Sequence, residues 1–578
     1  MTFTTRPVFM GRFGVVTAGH YLAAAAGMRM FEKGGNAVDA GVAAGIAVNL
    51  LEPQSNGIGG EVPILIYCAR QKRVYAINGQ GYAPKAATIA WFKSQGIDII
   101  PGDGFLPATV PGAFSAWTTA LQHFGRLRLK EVLEPTIEMA EEGFPVYPGL
   151  RRSLAGLKAK FENEWPSSAR IYFPNDRVPE VGEFLVNKDW AETFKTTVDA
   201  EIRSSHLGRE AAIAAARDAF YKGPIAEKIV AFQRNTRVLD ASGKENAGLL
   251  TEADFHEYVT RIEASVSLNY RGYDVHKCNT WCQGPVFLQQ LALLEGYDLT
   301  ALGHNSAGYI HTVVEASKLA FADREQYYGD PEFVDVPLDR LLSEEYSAAR
   351  RELIEERSAS MELRPGDAPA RTLRYEEGDS HVYTGDTTHV DAIDCEGNMM
   401  AATPSGGWIP SSPVVEGMGF PIGTRGQMFY LDPEHANSLA PRKRPRTTLT
   451  PSLATKDGEP FMAFGTPGGD SQDQWTLQFF LNAIDFGMNL QEAIDAPTFH
   501  TNHFPNSFYP HNAKPGSLTL ETRIPTLVQN ELAARGHKVT LGGEWSNGKV
   551  LAITFDPKSG LISAGASPRG QIAYAMGR

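Results

Sequence analysis

A chain of 578 residues with 43% hydrophobic and 21% charged residues buries a sizeable core and is neither disordered nor fibrous. Its formal charge of −13 leaves one dense basic cluster, Arg442-Lys443-Arg444 with Arg446, which excludes the broad cationic face that nucleic-acid binding needs. Four cysteines (Cys68, Cys278, Cys282, Cys395) make no disulfide framework, and no stretch reaches the roughly 18 apolar residues of a membrane span, so a cytoplasmic setting without membrane contact is expected.

In chain order, Gly34-Gly35-Asn36 turns the chain into a helix over 37–51, almost wholly small or apolar and therefore a core helix. It ends at Glu52-Pro53. The glycines Gly57, Gly59 and Gly60 follow, before a strand over 62–67, and they suit close approach of backbones better than an anion cradle. A strand is expected at 74–78 and amphipathic helices at 113–124 and 129–142. The pattern from Arg151 to Gln233 is helical and more charged. Strands are expected at 264–270 and 273–276, and a long helix over 310–328 stops at Gly329-Asp330-Pro331. Residues 357–386 are polar and carry Pro and Gly, as an exposed linker does. Strands dominate beyond them, apart from helices at 475–486 and 525–535. Helices before residue 387 and hairpins after it indicate an α+β layered body.

The linker delivers the chain to Gly385-Asp386-Thr387-Thr388-His389. Residues 388–393 and 399–403 are rich in β-formers and flank the turn Asp394-Cys395-Glu396-Gly397-Asn398. A hairpin centred near Glu396-Gly397 returns Thr387 opposite Ser405 or Gly406, placing two hydroxyls side by side. A threonine hydroxyl needs an adjacent base, and the residue's own α-amine, with a pKa of roughly 7.7–8.0, is one solution. That solution requires the bond after Asp386 to be cut. The bland alternative is an ordinary surface hairpin.

Other candidates are weaker alone. His276, Cys278 and Cys282 have loose spacing for a metal site and read as structural. Gly417, Gly419 and Gly423 have the wrong spacing for a dinucleotide loop. Gly465-Thr466-Pro467-Gly468-Gly469 lies between a strand at 461–464 and a helix, where two glycine N–H groups can face a pocket as an oxyanion hole does. Thr447-Thr448 offers two adjacent hydroxyls. Nothing calls for a cofactor or a metal.

Together these residues resemble the γ-glutamyltranspeptidase family of N-terminal-nucleophile hydrolases. The resemblance runs nearly end to end: Gly34 to Ala40, Gly57-Ile58-Gly59-Gly60, Val110-Pro111-Gly112, Phe220-Tyr221-Lys222-Gly223, Tyr270-Arg271-Gly272-Tyr273, Phe321-Ala322-Asp323-Arg324, Thr387-Thr388-His389, Lys443-Arg444-Pro445 and Gly465 to Gly469. It implies a four-layer αββα sandwich made as one precursor that cuts itself into 1–386 and 387–578, the two segments staying associated; whether the product pairs as a homodimer is open. It also implies catalytic roles for Thr387 (nucleophile), Ser405 (supporting hydroxyl), Gly468 and Gly469 (oxyanion hole), and substrate contacts from Gln427, Thr447 and Thr448. The implied substrate is a small amide, γ-glutamyl in typical members.

Three departures touch the amino-acid clamp of those members. The acidic position after Gln427 falls on Tyr430, the asparagine position after the supporting hydroxyl falls on Gly407-Trp408, and Phe105-Leu106-Pro107-Ala108 holds no arginine. Trp408, Phe429 and Tyr430 make the expected pocket more apolar. The expected activity is hydrolysis or acyl transfer on a γ-glutamyl or related amide. A small non-γ-glutamyl amide (oxamate-like, or a cephalosporin-type side chain) and an uncleaved binding protein are the alternatives.

Overall fold

The helix Ala37–Leu51 is capped from both sides. Asn36 Oδ1 accepts the N–H groups of Val38 (2.9 Å) and Asp39 (3.2 Å), and an Asp39 carboxylate oxygen accepts the Asn36 N–H at 2.8 Å. Every residue of the helix is buried. It lies across a hairpin formed by Val390–Asp394 and Met399–Ala402, whose turn residue Asp394 accepts the Ala37 N–H at 2.9 Å. One carboxylate thus ties the hairpin turn to the start of the core helix. These elements come from a computed structural model, which describes residues 3–373, 387–570 and 572–578. Gly385 and Asp386 lie outside the described residues.

Two seven-stranded antiparallel sheets form the middle of the molecule. The first runs Tyr574–Gly577, Gly14–Ala18, Val390–Asp394, Met399–Ala402, Ile64–Cys68, Arg73–Asn78 and Arg261–Ala264. The second runs Phe9–Gly11, Leu561–Ala566, Leu551–Asp556, Glu459–Gly465, Ser452–Lys456, Tyr273–Lys277 and Val266–Tyr270. Both faces of each sheet are covered. In the hairpin, Val390, Ala392, Met400 and Ala402 pack under the helices, while Ile393, Met399 and Ala401 meet Leu453, Ala463 and Ile553 of the other sheet. The period-2 alternation therefore divides one strand between two cores, which is why it reads as nearly continuous apolar sequence. Helices including Tyr21–Glu32, Ala37–Leu51 and Ala113–Phe124 cover the first sheet. Pro285–Leu294, Ala307–Tyr327 and Gln472–Ile484 cover the second. The layers are α, β, β, α, and the four-layer sandwich expected from the resemblance is the observed fold.

Three details differ from the sequence reading. The strand expected over 264–270 is two strands, Arg261–Ala264 in the first sheet and Val266–Tyr270 in the second, because the chain crosses between sheets at Ser265. The segment expected to be an exposed linker is partly built in: Glu362–Leu363 pairs with Arg371–Thr372, Leu363 is buried, and Gly366 N–H donates to Asp323 at 2.8 Å. Residues 374–386 of it lie outside the described residues. Helices do not simply precede residue 387 and hairpins follow it, since strands from before that point supply four members of the first sheet and three of the second. The basic cluster is internal: Arg444 meets Glu332 at 3.3 Å, Arg446 meets Glu325 at 2.7 Å, and Lys443 Nζ donates to Ala436 O at 2.7 Å. His276 spends both ring nitrogens on Ser265 and Thr455, each at 3.1 Å, while Cys278 and Cys282 are buried between the sheets.

The glycine run 57–60 allows close backbone approach. A Cβ on Gly57 would stand 2.2 Å from Gly407 O, one on Gly59 2.0 Å from Pro421 O, and one on Gly60 2.2 Å from Ser405 O. These atoms are backbone and cannot swing aside. Gly60→Ala is therefore expected to lower stability by about 1–3 kcal/mol, as overpacking does. Gly308→Ala, whose Cβ would meet nothing nearer than 3.6 Å, should leave it nearly unchanged. Thermal unfolding of the two variants beside the parent chain checks this, and equal melting of Gly60→Ala and the parent would refute it.

Candidate active site

Hairpin register brings the expected hydroxyls together. Val390 pairs with Ala402 and Asp391 with Ala401, and the same register carries on to an isolated bridge between Thr387 and Ser405. Thr387 Oγ1 lies 3.2 Å from Ser405 Oγ, with both residues buried. Thr388 points the other way and donates to Glu52 at 2.6 Å. His389 lies below, its Nε2 2.8 Å from Asp391 and its Nδ1 2.9 Å from Thr403 Oγ1. Burial pushes the Asp391 carboxyl above its usual range, and the histidine and Thr17 hydroxyl beside it oppose that rise. The imidazole occupies the space where a Cβ on Gly465 would fall, 2.2 Å away. Thr387-Thr388-His389 thus reaches three environments: a hydroxyl pair, a carboxylate and the space between sheets.

The support of Ser405 is a buried ion pair. Arg425 Nη2 donates to Ser405 Oγ at 2.8 Å, and its Nε and Nη2 contact the Glu61 carboxylate. Both side chains are almost wholly shielded from solvent, under the rings of Trp408 (5.1 Å from the guanidinium) and Phe508 (5.6 Å). Burial raises the Glu61 carboxyl, and the adjoining arginine counters it. Ser405 Oγ thus accepts from both Arg425 and Thr387. Neither Glu61 nor Arg425 stands out from sequence motifs. A charged residue amid Gly59-Gly60 and Val62-Pro63-Ile64 was the available signal, because a buried charge requires a partner.

Two adjoining cavities open around this point. The smaller, about 490 Å³, is lined by Thr387, Thr388, His389, Glu52 and Pro467 among others. The larger, about 860 Å³, is lined by Gly468, Gly469, Trp408, Trp475, Phe508 and Tyr509 among others. Pro467 belongs to both, so the cavity lined by the glycine pair adjoins the one lined by Thr387. Gly468 has φ 129° and Gly469 φ 54°, and a Cβ on Gly468 would stand 2.1 Å from the Trp475 ring. Only glycine fits there. Neither glycine N–H donates to a partner among the described residues. The next residue, Asp470, accepts from Ser507 N–H (2.8 Å) and Ser507 Oγ (2.6 Å) and is paired with Arg324, which anchors the glycine turn to the cavity wall.

The other expected contacts lie apart from the cavities. Gln427 Nε2 donates to Gly102 O at 3.0 Å and Thr424 O at 3.1 Å, while its Oε1 accepts Tyr509 N–H at 3.2 Å. Tyr430 stacks between His435 and His511 with centroids 3.8 and 4.5 Å away, and donates to Glu325 at 3.2 Å. Burial pushes its phenol above the usual range. Thr447 Oγ1 accepts Leu449 N–H at 3.4 Å, and Thr448 Oγ1 is buried with no partner among the described residues. Trp408 does line the larger cavity.

Comparison with known proteins identifies relatives along the whole chain. The family model described as Gamma-glutamyltranspeptidase matches residues 23–577. The solved structure of LmbA2991HD is 45% identical, with a TM-score of 0.95 over the whole of both chains. The crystal structure of cephalosporin acylase from Bacillus halodurans is 30% identical, with a TM-score of 0.84 over 100% of this chain and 97% of that one. A glutathione hydrolase-like YwrD proenzyme of Bacillus subtilis is 32% identical over 97% of this chain and 98% of its own. The chain belongs to the γ-glutamyltranspeptidase family.

Proposed function

We propose that this chain is a self-processing threonine hydrolase of small amides, with Thr387 as its nucleophile. The observation that carries the reading is the buried contact of Thr387 Oγ1 with Ser405 Oγ, itself held by Arg425, with Thr387 lining a cavity that adjoins the one lined by Gly468 and Gly469. Maturation begins when Thr387 Oγ attacks the Asp386 carbonyl carbon. The C–O bond forms, the C–N bond breaks, and the hydroxyl proton passes to the nitrogen. Water then hydrolyses the ester, releasing the Asp386 carboxylate and leaving Thr387 with a free hydroxyl and a free amine.

In turnover that amine accepts the hydroxyl proton as Thr387 Oγ bonds to the substrate carbonyl carbon. Gly468 and Gly469 N–H groups stabilise the oxyanion, and the leaving amine departs with the proton. Water, or an acceptor amine, resolves the acyl ester. Segments 1–386 and 387–578 remain one body because both central sheets draw strands from each. The four free cysteines suit a reducing compartment, and we place the enzyme in the cytoplasm on that ground.

For the acyl group we favour one other than γ-glutamyl. Residues 105–108 offer no cation for an α-carboxylate, and Gln427 and Tyr430 are committed to protein partners. The name of the Bacillus halodurans relative, an acylase, is in keeping with this, whereas that of the Bacillus subtilis relative favours the γ-glutamyl alternative.

Denaturing electrophoresis should show two pieces whose smaller member begins at Thr387, and Thr387→Ala should give one uncut, inactive chain; an uncut but active parent would sink the proposal. The ion pair gives a second expectation. Arg425→Gln leaves Glu61 buried without its cation and should destabilise by about 3–5 kcal/mol. The double change Glu61→Gln with Arg425→Gln should recover most of the stability while kcat stays about 10–100-fold down, for want of the charged donor to Ser405. Full recovery of kcat in the double variant would reduce Arg425 to a packing role. Finally, kcat/KM for a γ-glutamyl anilide should fall below that for simple acyl anilides, and the reverse order would restore the γ-glutamyl reading.

A further inference from the structure

Helix Pro148–Asn163 buries Leu150, Leu154 and Phe161 and turns a different stripe toward the active site. Arg152, Ser153, Gly156 and Leu157 line the larger cavity, at the i, i+1, i+4 and i+5 spacing of one helix face. Arg152 and Ser153 line the smaller cavity as well. Arg152 therefore stands where the two cavities meet, alongside the space bordered by Thr387 on one side and Gly468 and Gly469 on the other.

Charge around this junction is unevenly satisfied. Glu52 in the smaller cavity accepts the Thr388 hydroxyl, and Asp470 in the larger is held by Arg324 and Ser507. Arg569 is matched by Glu521 at 2.8 Å. Arg152 is exposed and makes no ion pair or hydrogen bond among the described residues. Its neighbour Arg151, by contrast, is paired with Glu180 at 2.8 Å. Lys514 also lines the larger cavity. A guanidinium offers a planar fork that fits a carboxylate through two parallel hydrogen bonds. The wall opposite is aromatic, with Trp408, Trp475 and Phe508.

We propose that Arg152 binds a carboxylate carried by the substrate, so that the enzyme selects anionic amides with an apolar or ring-bearing body. The proposal rests on the amide-hydrolase reading above and adds the substrate class. Arg152 stands in for the missing clamp arginine but approaches from a different element, a helix rather than the 105–108 loop.

The carboxylate can sit on the acyl half or on the leaving amine, and two probe pairs separate these. For the acyl half, succinyl para-nitroanilide is compared with butanoyl para-nitroanilide. For the leaving half, the butanoyl amide of para-aminobenzoate is compared with that of para-toluidine. In the processed full chain, the carboxylate member should be preferred by about tenfold or more in kcat/KM in one pair, the size of a hydrogen-bonded charge contact. That preference should collapse toward unity in Arg152→Gln, persist in part in Arg152→Lys, and shrink with added salt. The two-piece pattern on a denaturing gel reports that each variant has folded. A preference near unity in both pairs, or one unaltered by Arg152→Gln, would overturn the assignment while leaving the hydrolase reading intact. An uncut chain that turns over none of the four probes would overturn both.

Discussion

The register of one hairpin decides whether this protein has an active site. Val390–Asp394 and Met399–Ala402 pair so that Thr387 faces Ser405. A slip of one residue would send every side chain to the opposite face and separate the two hydroxyls. Both faces oppose such a slip. Val390 and Ala392 are committed to the helix-side core, and Ile393, Met399 and Ala401 to the space between sheets. The turn is tied down separately by Asp394, which accepts from Ala37, Glu396 and Asn398. Placement of Thr387 is thus enforced by burial on two sides and by hydrogen bonds at the end, none of which touches Thr387 itself.

A second constraint is the burial of charge beside the hydroxyl pair. Removing Glu61 and Arg425 from water carries several kcal/mol of desolvation cost, and their attraction offsets it only with good geometry and satisfied remaining donors. Here the remaining donor ends on Ser405. A neutral, well-packed pair of similar volume would serve the core at least as well, so stability gives no reason for the charges. Orientation of Ser405 does. The same pair links the glycine run 57–60 to the 424–428 segment, so the close backbone contacts around Gly60 and the alignment of the Thr387 and Ser405 hydroxyls are set by one local arrangement.

Much of this was legible in the sequence because it depends on local chemistry. The capped apolar helix at 37–51, the hairpin with its turn, and the glycine turn before the helix at 472 each carry their own signal. Turn position alone put Thr387 opposite Ser405 or Gly406, and the observed partner is Ser405. Less legible was anything that required two distant stretches at once. Glu61 and Arg425 are 364 positions apart and have meaning only as a pair. The crossing at Ser265 leaves no mark, because a strand that changes sheets keeps the same β-forming composition. The segment at 362–372 is polar in sequence yet packs, since Asp323 accepts its Gly366 N–H and its own Leu363 joins the core beside the second sheet. Gln427 and Tyr430 were placed by family position, and position along a chain does not say whether a side chain's polar atoms are already in use.

The split between what the family shares and what it varies has a physical basis. Bond cleavage needs a nucleophile, a base and oxyanion donors within a few ångströms of one another, and the residues proposed for these roles sit on paired strands and a glycine turn that only glycine can form. Recognition of the rest of a substrate occurs farther out, on surfaces that tolerate exchange. Here residues 105–108 hold no cation, and a helix that lines both cavities carries Arg152. A carboxylate held from that side reaches the same reacting centre along a different direction, and the molecule that carries it must have a different shape. Under the proposed reading, recognition by Arg152 redirects specificity while the chemistry assigned to Thr387 keeps its place in the fold.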